Sequence, residues 1–183
     1  MTILTTQRLR LEPCTEAHIE ELDSLNSDIE VMRYITGVGI TLEETKAHIE
    51  LVKELWKNYG YSSWSIIELK TGKLIGTGGI QHLEFNPENP LETGWRLLPS
   101  KWGQGFATEA AQCMIEFAFE KLGVETLRAV CHQDNISSVK VMRRLGMQYL
   151  GIERWYNLDT FAYCMTKEHY FASRKAALTN LEQ

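Results

Sequence analysis

The sequence of 183 residues lacks the features of exported proteins, of membrane-spanning proteins and of proteins stabilised by a bound metal. It has no run of about 18 apolar residues and no charged start followed by an apolar core, which would mark a membrane helix or a signal peptide. Its four cysteines lie far apart without a Cys-x-x-Cys pair, and its five histidines have no metal-ligand spacing. We therefore predict a cytoplasmic protein with reduced thiols, no membrane span and no metal site.

An excess of basic residues is also missing. The chain has 24 acidic and 19 basic side chains, for a formal net charge of −5. A broad interface with nucleic acid needs clustered Lys and Arg, so we predict no nucleic-acid partner. An acidic surface instead suits a cationic partner. With 44% hydrophobic residues, the length is sufficient for one compact domain, which we expect to span residues 1–183.

Hydrophobic periodicity predicts an α+β fold. Thr41-Leu42-Glu43-Glu44 has capping-box spacing, and apolar residues recur behind it at helical intervals until Gly60. Further helices are predicted at residues 108–122 and 137–145 and from residue 167. Seven strand-like runs are found at residues 7–12, 62–69, 74–81, 91–98, 126–132, 147–154 and 161–166. The second and third runs should form an antiparallel hairpin, because only a short polar link joins them.

A glycine-containing segment lies between the predicted strand at 91–98 and the helix at 108–122. Gly103-x-Gly105 connects the two, so several unpaired backbone N–H groups and the positive end of the helix dipole should meet at one point. That arrangement is typical of a phosphate cradle, and a Cβ at either glycine would obstruct the ligand or forbid the backbone angles. The alternative is that the glycines only form a tight turn.

A second polar segment follows the next predicted strand and opens the next helix. Asn135 or Ser137 could cap that helix, and Asn135 and Ser138 could equally turn polar groups toward a ligand between the two helices. A dinucleotide-binding oxidoreductase is the competing enzyme class, because Gly103-x-Gly105 also follows a strand and opens a helix. That class fits poorly, because Thr108 stands where the third small residue is expected and the preceding antiparallel hairpin is not a βαβ unit.

Two motifs in this order resemble the GNAT acetyltransferases, and most closely their RimJ/RimL-like branch of ribosomal-protein N-terminal acetyltransferases. The motifs are Gly103-x-Gly105-x-Ala107-Thr108-Glu109-Ala110 and Asn135-x-x-Ser138-x-x-Val141-x-x-x-Leu145-Gly146-Met147. The resemblance also includes Thr6-Gln7-Arg8-Leu9-Arg10-Leu11-Glu12, except at its last position, and Gly94-Trp95.

This resemblance implies an acetyl-CoA-dependent N-acetyltransferase that acts on a primary amine. It implies a mixed sheet of about six to seven strands, splayed at the fourth and fifth strands, with helices on both faces. The pantetheine arm would pair with backbone near Leu97 and Leu98 in the splay, and the Gly103–Thr108 segment would hold the pyrophosphate. The implied cofactor-binding residues are Leu97, Leu98, Gly103, Gln104, Gly105, Phe106, Ala107, Thr108, Asn135, Ser138 and Met142.

Two side chains are candidates for the proton transfers. An amine must be neutral to attack a thioester, and Glu92 should share a strand face with Gly94, so we predict Glu92 as the base. A solvated strand-edge charge is the alternative for Glu92. By resemblance, Ser138 lies near the sulfur and hydrogen-bonds the departing thiolate. Tyr149, Tyr156 and Tyr163 are weaker candidates, each expected to pack with its hydroxyl at the surface.

The acceptor is left open by the sequence. A protein N-terminus, a polyamine, an aminoglycoside and a small metabolite all supply a primary amine, and a homodimer also stays open. The acceptor pocket should involve the helical region 30–60 and the hairpin at Trp155–Phe161. A non-catalytic acyl-CoA sensor of the same fold is the alternative function, because a backbone cradle survives the loss of catalytic side chains.

Overall fold

One mixed sheet of eight strands organises the protein in a computed structural model that describes residues 2–181, with side chains up to residue 176. The strands lie in the order β1-β2-β3-β4-β5-β6-β8-β7. Their bounds are β1 Leu4–Thr5, β2 Leu9–Pro13, β3 Ser63–Glu68, β4 Lys73–His82, β5 Leu91–Leu97, β6 Thr126–His132, β7 Gln148–Trp155 and β8 Leu158–Thr166.

Six α-helices accompany the sheet within residues 2–181. They are α1 Ile19–Ser27, α2 Ile29–Met32, α3 Leu42–Tyr59, α4 Phe106–Phe117, α5 Ile136–Arg144 and α6 Lys167–Leu181. The predicted capping box of α3 is present, and Gly60 ends that helix in the left-handed conformation. Helix α4 begins two residues earlier than predicted, because Gly105 itself caps it, and a π-helical turn at Ala118–Leu122 extends its far end.

Adjacent residues of β4 show that helices cover both faces of the sheet. Thr77 lines a small cavity together with residues of α1 and α3. A Cβ on the next residue, Gly78, would lie 2.8 Å from the terminal methyl group of Met114 in α4. Since consecutive strand residues point to opposite faces, α1 and α3 lie on one face and α4 on the other. The predicted α+β fold with helices on both faces is therefore confirmed.

The eighth strand is the main departure from the predicted count of six to seven. Leu4 and Thr5 pair with Leu11 and Arg10 and so extend the sheet beyond β2. A strand of two residues is too short to show an alternating pattern, which explains why periodicity missed it.

Strand pairing changes in the middle of the sheet. Strands β1 to β5 are antiparallel neighbours, and so are β6, β8 and β7. Between these two groups, β5 and β6 are parallel and pair at a single register position, Glu92 with Arg128. The sheet therefore splays beyond Glu92, as the fourth and fifth predicted strands were expected to do. No helix within residues 2–181 is both long and apolar enough to cross a bilayer.

Candidate active site

The splay between β5 and β6 leaves a wedge, which we define as the gap between residues 93–97 of β5 and 129–132 of β6. The Leu98 N–H group donates to the Ile75 carbonyl on β4 at 2.9 Å. Because backbone groups alternate in direction along an antiparallel ladder, those of Trp95 and Leu97 face the wedge. The Leu97 carbonyl accepts from the Trp102 indole at 2.8 Å. Of the two leucines predicted to pair with the pantetheine arm, only Leu97 therefore turns its backbone toward the wedge.

The predicted glycine loop lies between the end of β5 and the start of α4. Gly103 and Gly105 have φ angles of 71° and 82°, a region that residues with a Cβ rarely adopt. Gly105 is the N-cap of α4 and supplies no side-chain hydrogen bond, so the first-turn N–H groups stay open to a ligand. Gly103, Gln104 and Gly105 are exposed, as an anion cradle at a helix N-terminus requires.

The residues that open α4 have different surroundings. The Phe106 ring is buried, whereas Ala107 and Thr108 are partly exposed. The Gln104 side-chain amide donates to the Ser100 carbonyl at 2.8 Å, which closes the turn before the helix. The backbone N–H groups of these residues could bind phosphate, and that contact stays a prediction.

Arg8 holds the glycine loop from the opposite end of the sequence. Its Nη1 donates to the Gln104 carbonyl at 3.0 Å, and its guanidinium lies 4.3 Å from the centre of the Phe106 ring. Its Nε and backbone N–H donate to the Glu109 carboxylate at 2.6 and 2.8 Å, and the Thr6 hydroxyl donates to the same group at 2.6 Å. The first-strand motif and the α4 motif are thus parts of one contact cluster.

The contacts with Thr6 and Arg8 change the pKa of Glu109. Burial alone would raise the pKa of the Glu109 carboxyl. The hydrogen bonds from Thr6 and Arg8, together with the charge of Arg8, outweigh that effect and lower its pKa below the ordinary value. The carboxylate is therefore ionised at neutral pH and serves as a fixed anchor for Arg8.

The start of α5 reaches the wedge from the β6 side. The Asn135 Oδ1 accepts from the Ser138 N–H at 3.1 Å, so Asn135 is the N-cap that the sequence allowed. Ser138 is partly exposed, and its hydroxyl makes no hydrogen bond to another described side chain or backbone group. Met142 is buried in the core and exposes almost no surface to a ligand, so its contact with the cofactor stays a prediction.

Glu92 lies where β5 and β6 begin to separate. It is only 6% exposed, which rules out the alternative of a solvated strand-edge charge. Its Oε1 accepts a hydrogen bond from the Tyr156 hydroxyl and another, at 3.2 Å, from the Gln81 side-chain amide. The expectation of a surface hydroxyl is therefore wrong for Tyr156, because the β7–β8 turn folds back over β5 and carries this hydroxyl to Glu92. Tyr149 is exposed, and Tyr163 is buried in the core.

The surroundings of Glu92 raise the pKa of its carboxyl group. Burial raises the pKa of Glu92 to about 7, although the hydrogen bonds from Tyr156 and Gln81 oppose the rise. Burial and the charge of Glu92 also raise the pKa of Tyr156, which keeps that phenol protonated. A carboxyl group with such a pKa accepts a proton efficiently at physiological pH.

The face of the splayed strands that carries α1 and α3 is open at Gly94. Glu92, Gly94 and Arg96 share this face because strand residues alternate. Gly94 is exposed, and a Cβ there would meet no atom within 4 Å. At the end of β6, the His132 ring stacks on Tyr34, which follows α2, with 5.5 Å between ring centres. The predicted helical region 30–60 thus borders the wedge, and the hairpin at Trp155–Phe161 reaches it through Tyr156.

Comparison with known proteins identifies the family. Residues 8–148 match the family model described as an acetyltransferase (GNAT) domain. The chain belongs to the GNAT acetyltransferase family. It is an N-acetyltransferase by family, and acetyl-CoA is the acetyl donor that GNAT enzymes use. The exposed glycine loop and the unpaired wedge fit that molecule, because they offer N–H groups for a pyrophosphate and an open strand edge for an amide-bearing arm.

Individual relatives agree with the assignment to the GNAT family. It is 30% identical to the uncharacterised N-acetyltransferase YoaA of Bacillus subtilis, over 90% of this chain and 97% of YoaA. It is 29% identical to the FsC-acetyl coenzyme A-N(2)-transacetylase of Aspergillus fumigatus, over 96% and 81% of the two chains. RimL, a ribosomal L7/L12 α-N-protein acetyltransferase solved with coenzyme A, shares its fold, with a TM-score of 0.78, 19% identity and coverage of 92% and 99%.

Sequence reasoning missed several residues around this GNAT site. The wedge-facing backbone of Trp95 follows from strand alternation and could have been predicted. The clamp function of Arg8 had a signal in the first-strand motif, but a motif does not tell which distant residue it contacts. The link between Gln81, Glu92 and Tyr156 had no local signal, since 64 residues separate Glu92 from Tyr156. Among the described side chains, no three metal-ligating groups come together.

We expect Arg8→Ala to weaken acetyl-CoA binding by about tenfold, or ~1.4 kcal/mol, because the glycine loop loses its clamp and must be ordered by the ligand. Calorimetric titration with acetyl-CoA measures the change. Arg10→Ala is the matched control, because Arg10 is an exposed arginine on β2, two residues after Arg8, and pairs with Glu12 and not with the loop. Equal affinities for wild type and Arg8→Ala would show that the loop is ordered without Arg8.

Proposed function

We propose that this protein moves the acetyl group of acetyl-CoA onto a primary amine by direct attack, with Glu92 accepting the proton that the amine releases. The observation that carries the proposal is the position of Glu92, a nearly buried carboxyl with a pKa near 7 where β5 and β6 separate. No covalent enzyme intermediate is needed, because fixing both reactants in one cleft removes much of the entropic barrier.

The donor half of the site would be built mostly from backbone. The N–H groups between Gly103 and Thr108 would bind the pyrophosphate at the start of α4. The pantetheine arm would lie in the wedge and pair with the backbone of Trp95 and Leu97, with the Trp102 indole beside it. Asn135 would border the cofactor through the start of α5. This arrangement is supported by the splay, by the positive φ angles of the two glycines and by the open first turn of α4.

In the transfer, the neutral amine nitrogen forms a bond to the thioester carbonyl carbon, and the carbon–sulfur bond then breaks. The amine loses one proton, which Glu92 receives directly or through a water molecule, and the coenzyme leaves as a thiolate that takes up a proton. Gly94 leaves the strand face next to Glu92 open for the amine, because it has no side chain. The face that carries α1 and α3 would therefore admit the acceptor.

Ser138 would assist the leaving group. Its hydroxyl is partly exposed near the start of α5, and its backbone N–H is already used by Asn135. A serine hydroxyl is a poor acid, so its contribution would be a hydrogen bond to the thiolate and not full proton donation.

The acceptor would be a small amine or a protein N-terminus. The name of the Aspergillus relative describes an N(2)-acetylation, whereas RimL acetylates an α-amine of a ribosomal protein. The RimJ/RimL-like motifs of this sequence favour the protein acceptor, and the greater identity with the Aspergillus relative favours the other class. Release of coenzyme A thiol with any primary amine would separate an enzyme from a non-catalytic acyl-CoA sensor.

We expect Glu92→Gln to lower kcat/KM for amine acetylation by about 10²- to 10⁴-fold, because the amine loses its proton acceptor. In the wild type, kcat/KM should rise with pH through about 7, since the ionised carboxylate is the active form and its pKa is about 7. That step should be missing in the variant. A pH series of thiol release measures both effects.

Two controls accompany this substitution. Glu88→Gln changes an exposed acid of the β4–β5 loop and should leave activity unchanged. The Glu92→Gln variant should still fold and bind acetyl-CoA, because glutamine resembles the protonated carboxyl group in shape and charge. The pKa of the buried Glu92 carboxyl is raised in the folded protein, so its protonated form favours folding, and this benefit is lost as pH rises through the folded pKa. Full activity in Glu92→Gln, with the pH step retained, would exclude Glu92 as the base.

We expect Tyr156→Phe to move the pH step of kcat/KM to higher pH while leaving the activity at the alkaline plateau largely intact. The Tyr156 hydroxyl donates to the Glu92 carboxylate and thereby lowers the pKa of Glu92, so its loss should raise that pKa further. The same pH series detects the displacement. Loss of activity at every pH would instead indicate that Tyr156 takes part in the chemistry directly.

A further inference from the structure

Arg96 is a partly buried cation without an anionic partner among the described residues. It lies on β5, and its Nη2 donates to the Asn26 Oδ1 at 2.8 Å. Its Nε is buried and has no hydrogen-bond partner, and no Asp or Glu among the described residues forms an ion pair with it. Buried charges in proteins are normally paired, because removing an unpaired charge from water costs free energy. The guanidinium of Arg96 carries this cost without a compensating anion in the part of the chain that the structure describes.

The titratable groups around Arg96 do not supply the missing negative charge. Burial raises the pKa of the Cys14 thiol to about 11, so this group is neutral at physiological pH. Burial, together with the charge of Arg96, lowers the pKa of His48 to about 4, so its imidazole is neutral as well. Burial also lowers the pKa of Arg96 itself, but an arginine keeps its proton at physiological pH.

Space limits how an anion could reach Arg96. The cavity beside it, which Asn26, Thr45, His48 and Thr77 help to line, has a volume of about 10 Å³. That is about the space of one water molecule and is too small for a carboxylate. Arg96 as a whole is still partly exposed, and Gly94, two residues earlier on the same face, is fully open. A larger anion would therefore approach along β5 from the wedge.

We propose that Arg96 binds a carboxylate carried by the amine acceptor, so that the substrate class is an amine that also bears a carboxylate. This proposal rests on the proposed function, because the same face of β5 must admit the amine. Arg96 suits the task, since a guanidinium can bind both oxygens of a carboxylate in its plane.

The spacing along β5 fits a substrate with two different ends. Glu92 and Arg96 share a strand face and are four residues apart, which separates their Cα atoms by about 13 Å. Gly94 lies midway between them without a side chain. An acceptor lying along this face would present its amine toward Glu92 and its carboxylate toward Arg96. The acidic protein surface does not oppose such a substrate, because the substrate carries both charges.

Paired acceptors test the proposal directly. Acetylation is followed by thiol release with γ-aminobutyrate, δ-aminovalerate and glycylglycine, each compared with its own carboxamide. For wild type we expect kcat/KM to favour the carboxylate by about 10- to 100-fold in at least one pair, as for a charged hydrogen-bonded contact. In Arg96→Gln the preference should vanish, mainly through a higher KM for the carboxylate acceptor.

Further variants separate a binding function from a structural one. Arg96→Lys keeps the charge but not the paired donors, and should retain a reduced preference. Arg10→Gln, an exposed arginine on β2, should retain the full preference. If Arg96→Gln does not fold, the comparison of wild type with Arg96→Lys still decides the outcome. Equal kcat/KM for carboxylate and carboxamide acceptors in wild type would overturn the proposal and leave acetyl transfer standing.

A binding measurement distinguishes this proposal from the proposed function. The thermal midpoint of the protein without acetyl-CoA is measured with γ-aminobutyrate, with its carboxamide and with sodium chloride at constant ionic strength. We expect stabilisation by the carboxylate alone, and its loss in Arg96→Gln. If the protein acetylates no amine, this measurement still decides whether Arg96 binds a carboxylate. Stabilisation by chloride that equals that by γ-aminobutyrate would assign Arg96 to inorganic anions and overturn the proposal.

Discussion

The divergence of two parallel strands is the constraint on which the rest of the site depends. β5 and β6 pair only at Glu92 and Arg128 and then separate, so the backbone of Trp95 and Leu97 has no strand partner. Backbone N–H and C=O groups that leave water need partners, and an edge of this kind therefore favours a ligand that can complete the ladder. The helices that follow the two strands, α4 and α5, both begin at the open end of this wedge.

Contacts between distant segments hold the two halves of the site in place. Arg8 fixes the glycine loop through Gln104 and Glu109, and this contact couples the first strand to the start of α4. At the other end of β5, Tyr156 joins the β7–β8 turn to Glu92 and also accepts a hydrogen bond from Gln81 at 3.3 Å. The glycine loop and Glu92 are therefore positioned by different contacts, and each can be altered without breaking the other.

Local pattern was sufficient to predict most of the fold but only part of the site. Strand alternation, the capping box at Thr41 and the glycine loop are properties of a few neighbouring residues, so the sequence alone indicated them. The importance of Tyr156 and the unpaired charge of Arg96 depend on residues that the fold brings together from separate strands and helices. Contacts of this kind produce no periodic pattern in the sequence. The two-residue strand β1 was missed for a related reason, because its pairing and not its pattern defines it.

Amide hydrogen exchange resolved by residue, measured with and without coenzyme A, tests most directly whether the splayed strand edge is the donor site. If the pantetheine arm completes the ladder, the amides of Trp95 and Leu97 should exchange more slowly with coenzyme A bound. Those of Gly94 and Arg96, which already face β4, should change little. Binding of coenzyme A without added protection at Trp95 and Leu97 would contradict the assignment of the wedge as the site that holds the donor.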